Sequence, residues 1–277
     1  MEVFKVHIPA GILQKSIASI VYYEGLIQTH TIERLLPDGT LNLLIELADQ
    51  PQYTYENKDL RRKKKYEKSW FSGMQTSFIS ISSSARSAMM VVQFKPYGAF
   101  PLLKIPLSEL SDKVIPGDLL FGEEIEFLRE RILGEKTPEL RIRLMEQWLR
   151  AKWASSDVTP EAVVHFAVEK TLLSPSNANM RATATQTGYS QQHFITLFKR
   201  IVGISPKQYQ RIVRFNQVLR EIEVHQKVNW SRLSLELGYF DQAHFIRDFR
   251  HFSGFSPTKY LFEKGEFLNY VPVASTK

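Results

Sequence analysis

The sequence predicts an α+β chain of two unlike parts. A β-rich barrel or sandwich with a helical hairpin comes first, and an all-α domain with two helix-turn-helix units joined by a long helix follows. Three observations carry this. The apolar period changes from two residues to three or four after Pro116-Gly117, which is the change from strand to helix spacing. The stretch "GYFDQAHFIRDFRHFSGFSPTKY", Gly238–Tyr260, echoes "GYSQQHFITLFKRIVGISPKQY", whose histidine lies fifty-one residues before that of the second. Charge is also divided unevenly: residues 1–177 hold 22 Lys+Arg against 22 Asp+Glu, whereas residues 178–262 hold 12 against 5. A neutral module is therefore joined to a basic one, and a localised basic excess suits a polyanion, since each neutralised phosphate releases counterions.

At 277 residues, 43% of them hydrophobic, the chain can build two ordinary cores. It contains 0 cysteines, which excludes disulfides, thiolate zinc sites, iron–sulfur clusters and a cysteine nucleophile. The start "MEVFKVHIPAG" lacks signal-peptide features and the apolar runs are short, so a cytoplasmic protein without a membrane partner is expected.

From Val3 to about Leu107, short runs (IASIVYYEGLIQ, TIERLL, LNLLIEL, SAMMVVQF) alternate with turn signals such as Pro37-Asp38-Gly39 and Pro96-Tyr97-Gly98. Within this region "RRKKKYEK", Arg61–Lys68, reads as a solvated hairpin tip in preference to a second nucleic-acid patch. "EEIEFLRERIL" (Glu123–Leu133) and "ELRIRLMEQWLRAKWA" (Glu139–Ala154) form the helical hairpin. "SSDVTPE", Ser155–Glu161, is the linker, with Thr159 and Pro160 as cap and first residue of the next helix, Glu161–Leu173. This divides the chain into a domain at 1–155 and a second at 156–277.

Aligned on His193 and His244, the two copies share His, Phe, Ile, Phe, Gly, Ser, Pro and Tyr at matching places, which marks an internal duplication. Each copy spells a helix (Met180–Thr187; Trp230–Leu237), a Gly-Tyr turn in which glycine supplies the left-handed backbone, and a second helix capped by Ser190 or Asp241. The units occupy about 179–201 and 229–252. Phe194/Phe198 and Phe245/Phe249 are spaced i, i+4 and bury one face. The opposite face carries Gln191, Gln192, Thr196 and Lys199 in one copy and Gln242, Arg247 and Arg250 in the other, types suited to base edges and phosphates. Between the copies, Ser205–Glu223 reads as one helix about 28 Å long, close to the roughly 34 Å turn of B-DNA. A rigid rod of that length would place both second helices in successive major grooves.

Over about Pro160–Lys264, through "GYSQQHFITLFKRIVGISPKQYQRIVRF" and "LGYFDQAHFIRDFRHFSGFSPTKY", the sequence resembles the AraC/XylS family of bacterial transcription regulators. The resemblance implies a sequence-specific DNA-binding regulator with base-reading positions at Gln192, Ile195 and Thr196 in the first unit and at Gln242, Ala243, Ile246 and Arg247 in the second. Arg247 suits guanine, while Gln192 and Gln242 either read adenine or are simply solvated. Ile195 and Ile246 either touch thymine methyls or pack. Lys199 and Arg250 would hold phosphates. His193 and His244 are structural, and Arg211 and Arg214 meet either the DNA backbone or the domain's own acids. One departure stands out: the first unit's leading helix "NMRATATQTG" has threonines where the second has Leu233 and Leu237, which implies a looser first unit.

The N-terminal half resembles the cupin-like β-barrel sensor region of some family members through "RLLPDGTLNLLIEL" and "VVQFKPYGAFPLLKIPLSELSD". Such a barrel houses an effector or mediates dimerisation. Tyr22, Tyr23, Trp70 and Phe94 would line a pocket or fill the core. His7 and His30 stand alone in this half, so no metal and no cofactor is expected. The expected partners are double-stranded promoter DNA, a small-molecule effector, RNA polymerase and a second copy of the chain. Two rival readings, an enzyme with a DNA-targeting module and a non-specific architectural protein, stand beside this one. No nucleophile–base pair, phosphate loop or paired-carboxylate motif stands out in 1–155, so no enzymatic activity is expected.

Overall fold

The structure is a computed structural model that describes residues 2–273, except 27–29, 84–86, 155–161, 177–182, 184, 187, 225–227 and 266. The expected linker Ser155–Glu161, with its cap pair and the division at 155, lies outside the described residues. So does most of the first unit's leading helix.

Two antiparallel sheets form the N-terminal domain. The first has six strands in the order β1 (Val3–His7), β2 (Ile17–Leu26), β9 (Ser87–Phe94), β4 (Leu41–Glu46), β7 (Ser69–Ser72) and β10 (Val114–Pro116). The second has five: β11 (Tyr270–Pro272), β3 (Ile32–Leu35), β8 (Ile79–Ser82), β5 (Gln52–Glu56) and β6 (Asp59–Tyr66). Register sorts the apolar residues of the six-stranded sheet into two sets. Ile20 pairs with Val92, Tyr22 with Met90, and Leu43 with Val92 and Phe71, so these side chains share one face, all of them fully buried. After the one-turn helices α1 (Phe100–Leu103) and α2 (Asp118–Phe121), α3 (Glu124–Gly134) and α4 (Pro138–Ala154) cover that face, with Phe94 stacked on Trp153 at 6.4 Å. Tyr23, Met89, Val91, Leu44 and Trp70 occupy the other face, where Trp70 meets Tyr66 of the five-stranded sheet at 6.2 Å. Tyr22 and Phe94 therefore belong to the helix-facing core, and only Tyr23 and Trp70 of the four aromatics look toward the space between the sheets.

The helical hairpin falls within a residue of its expected bounds, because its i, i+3, i+4 apolar pattern is unbroken. It is pinned by Arg129, 3% exposed, whose Nε donates to the Glu46 carbonyl at 2.7 Å and whose guanidinium pairs with Asp49, Glu130 and the buried Glu46. Burial pushes the Glu46 carboxyl above the usual carboxylate range, partly offset by N–H bonds from Ala48 and Gln50 and by Arg129.

One expectation needs correction. Arg61–Lys65 are not a hairpin tip but the body of strand β6, whose turn is at Asn57-Lys58. All five cations are exposed and β6 is the edge of its sheet, so no apolar alternation marks it in the sequence. A run of Lys and Arg on an edge strand discourages pairing with other chains.

The C-terminal helices are α5 (Ala162–Leu173), α6 (Gln191–Val202), α7 (Pro206–Val224), α8 (Trp230–Glu236), α9 (Gln242–Ser253) and α10 (Pro257–Glu263). After α10 the chain returns to the first domain, where Tyr270, Val271 and Pro272 pair with Leu35, Arg34 and Glu33 as β11. No described helix is long and apolar enough to cross a membrane.

Candidate nucleic-acid interface

The two second helices, α6 and α9, are built alike. In each, the residue before the helix caps it: the Ser190 hydroxyl accepts from the His193 N–H at 3.2 Å, and the Asp241 carboxylate from the His244 N–H at 2.6 Å. Basic residues fill the last turns (Lys199 and Arg200; Arg250 and His251), where they complement the helix dipole. Gly188 and Gly238, in the preceding turns, have φ of 76° and 72°, as the turn requires.

Both helices bury matching aromatics. Phe194 meets Phe198 and Phe245 meets Phe249, each at 5.9 Å between centroids. Phe198 then packs on Tyr209 at 5.9 Å, and Phe249 on Tyr260 at 5.5 Å, so the duplication extends to side-chain pairs. Both units rest on the 19-residue helix α7. Its first turn supplies Tyr209 to the first unit, and Phe215, further along, lies 5.3 Å from Phe249 and 5.1 Å from Phe252 of the second.

With these faces buried, the opposite faces are open. Gln191, Gln192, Thr196 and Lys199 on α6, and Gln242, Ala243, Arg247 and Arg250 on α9, are exposed, while Ile195 and Ile246 are half-buried at the edges of those faces. Among the described residues no carboxylate pairs with Lys199, Arg247 or Arg250, so their charges are available to an incoming anion. Two of the polar groups are engaged within the protein: Thr196 donates to the Gln192 carbonyl at 3.1 Å, and Gln242 accepts from Ser231 at 3.0 Å.

Structure decides what sequence left open at Arg211 and Arg214. Arg211 forms a two-pronged bond to Asp248, Nε at 3.2 Å and Nη2 at 2.8 Å, which raises its already high pKa. Arg214 donates to the Gly238 carbonyl at 3.1 Å and lies 5.0 Å over the Tyr239 ring. Both serve the domain's own architecture. His193 stacks on Tyr189 at 5.0 Å, and His244 meets Tyr239 edge-on at 5.4 Å, which are packing arrangements. Phe240, 88% exposed, stands in the second turn, which is one residue longer than the first; the extra residue was readable in the sequence but had no pattern to mark it.

Residues 183–262 match a family described as "Helix-turn-helix domain", and residues 5–116 match one described as "Domain of unknown function". No curated protein matches the chain. Among solved structures it is similar to apo ToxT from Vibrio cholerae, with 11% identity over 88% of this chain and 97% of that one and a TM-score of 0.46. It is also similar to the C-terminal domain of AraT, a response regulator from Geobacillus stearothermophilus, with 16% identity over 43% of this chain and 94% of that one and a TM-score of 0.36. The helix-turn-helix match spans the capped, duplicated helices with their open cationic faces, and residues 183–262 form a helix-turn-helix domain.

Proposed function

We propose that the chain binds promoter DNA sequence-specifically by inserting α6 and α9 into successive major grooves, with residues 156–277 as the DNA-binding part and 1–155 as the regulatory part. The observation that carries this reading is the pair of exposed polar and cationic helix faces mounted on one 19-residue helix, about 28 Å long. Gln192, Ile195 and Thr196 read bases in one groove, with Gln191 beside them on the DNA-facing surface, and Gln242, Ala243, Ile246 and Arg247 read the other. Arg247 makes the most discriminating contact, and Lys199 and Arg250 hold phosphates. The N-terminal domain senses an effector, dimerises, or does both, and the bound regulator acts on RNA polymerase. Dimerisation is favoured by β1, an edge strand that exposes Phe4 at 53% and Val6 at 55% of their surfaces, a pattern typical of covered surfaces.

Binding of the full chain to promoter fragments and to random duplex at moderate salt tests the reading. Preference for particular fragments, with affinity falling steeply as salt rises, is expected. Equal affinity for every duplex would replace it with a non-specific architectural role.

A further inference from the structure

Contacts run from the N-terminal domain to the DNA-binding domain at its two helix-turn-helix units and at the helix between them. At the first unit, the Ser111 hydroxyl donates to the carbonyl of Gly203, the residue that closes α6, at 2.6 Å. The approach is so close that a Cβ on Gly203 would lie 2.9 Å from the Ser111 hydroxyl and 3.1 Å from the Leu107 carbonyl. At the second unit, Gly254 closes α9, and a Cβ there would lie 2.5 Å from Nη1 of Arg34 and 2.8 Å from the Phe78 ring. Arg34 spans the two domains at this point, with its guanidinium 4.6 Å from the Phe78 ring centre and 4.2 Å from that of Phe255. Nearby, the His251 ring nitrogen lies 2.9 Å from the Thr76 carbonyl. In the middle, Asn216 of α7 donates to the Pro37 carbonyl at 2.8 Å.

Strand β11 joins the dock at the second unit to the one on α7. It continues the chain of the DNA-binding domain, yet it pairs with β3, placing fully buried Val271 opposite Arg34. Backbone bonds from Leu36 N–H to the Asn269 carbonyl (2.8 Å) and from Val273 N–H to the Ile32 carbonyl (2.9 Å) extend the ladder at both ends. Asn269 also donates to Asn216 of α7 at 3.2 Å. All these contacts leave the outward faces of α6 and α9 exposed, so they hold the reading helices without covering them.

We propose that Arg34, Ser111 and strand β11 are positioning elements for DNA recognition, through which the N-terminal domain sets the rotation of each recognition helix about α7. Helix α7 fixes the separation of the two units. Contact at the closing residue of each unit fixes the angle at which its helix meets the groove. This rests on the two-groove reading above. It also gives a signal in the N-terminal domain a direct route to the second unit, since β3 carries Arg34 and pairs with β11.

The test is selection of binding sites from a random duplex pool by the full chain and by its Arg34→Ala, Ser111→Ala and Val271→Asp variants, with thermal unfolding followed in parallel. The wild type is expected to select two sequence blocks at one spacing. The variants are expected to select the same blocks at a wider range of spacings, or one block alone, and to bind the wild-type site about tenfold more weakly. Arg34→Lys, which keeps the charge between the rings, should recover part of the spacing preference. Loss of stability alone lowers the active fraction but does not broaden spacing. Unchanged spacing and affinity in folded Arg34→Ala and Ser111→Ala would overturn the inference and leave the DNA reading standing. A wild-type chain that selects no site would overturn both.

Discussion

The two helix-turn-helix units share caps, glycines and aromatic pairs, yet they are fastened to α7 in different ways. In the second unit Asp248, 4% exposed, faces Arg211 in a two-pronged ion pair. The equivalent position in the first unit is Leu197, also buried, which packs in the apolar core. Leu233 and Leu237 are buried in the second leading helix, where the first has Thr183 buried at the place of Leu233. Duplication thus preserved the frame while the fastenings diverged. Among the described residues, the helix α6 packs on α7 through apolar side chains, and α9 adds a directional ion pair to α7. The second unit also carries Arg247, the side chain best suited to a guanine, so on the proposed two-groove reading the helix with the added ion pair would bear the more discriminating contact.

The largest effects should fall on what the copies share. Phe198→Ala and Phe249→Ala are each expected to cost about 3–5 kcal/mol in denaturant unfolding, since each empties a buried aromatic site. A much smaller cost at Phe198 would show that the first unit does not depend on its core as the second does. Next comes the fastening that differs. Asp248→Ala should cost about 2–3 kcal/mol, below the value for a fully buried pair because Arg211 is 33% exposed and recovers some hydration. An Arg211→Met, Asp248→Leu double variant, which copies the apolar style of the first unit, should recover most of that loss; if it does not, orientation rather than desolvation is what the pair supplies.

Reading and holding should then separate. Arg247→Ala should remove about 1–3 kcal/mol of discrimination at one base position, whereas Lys199→Ala should weaken all sequences alike and lower the salt slope by about one. Similar behaviour of the two variants would erase the division of roles. The smallest effects belong to the caps: Ser190→Ala and Asp241→Ala should each cost about 1 kcal/mol by thermal unfolding. The loss at Asp241 should be greater by a few tenths, because its carboxylate also favours the positive end of the helix dipole.

Much of this organisation was legible in the sequence because it is local. The hairpin helices, the caps Ser190 and Asp241, and the closing glycines are set by residues within a few positions of one another. The exposed faces of α6 and α9 follow from the same spacing that buries their phenylalanines. The remainder depends on contacts between distant residues. Arg211 finds Asp248 thirty-seven residues away, and sequence left it divided between DNA and protein. Strand β6 has five exposed cations in a row and gives no alternation to read. Strand β11 is three residues long and takes its conformation from β3, more than two hundred residues earlier, so no local pattern could announce it.

The most direct test of the central claim, that two unequal helices read DNA, is a cycle of affinities pairing Arg247→Ala with single-base changes across a site selected by the wild type. The wild type should lose about 1–3 kcal/mol when one particular G·C pair is changed. The variant should be indifferent at that pair alone and keep its discrimination elsewhere, including throughout the other block. Equal weakening of the variant on every sequence, or no change on any, would contradict the assignment of α9 as the stronger reader.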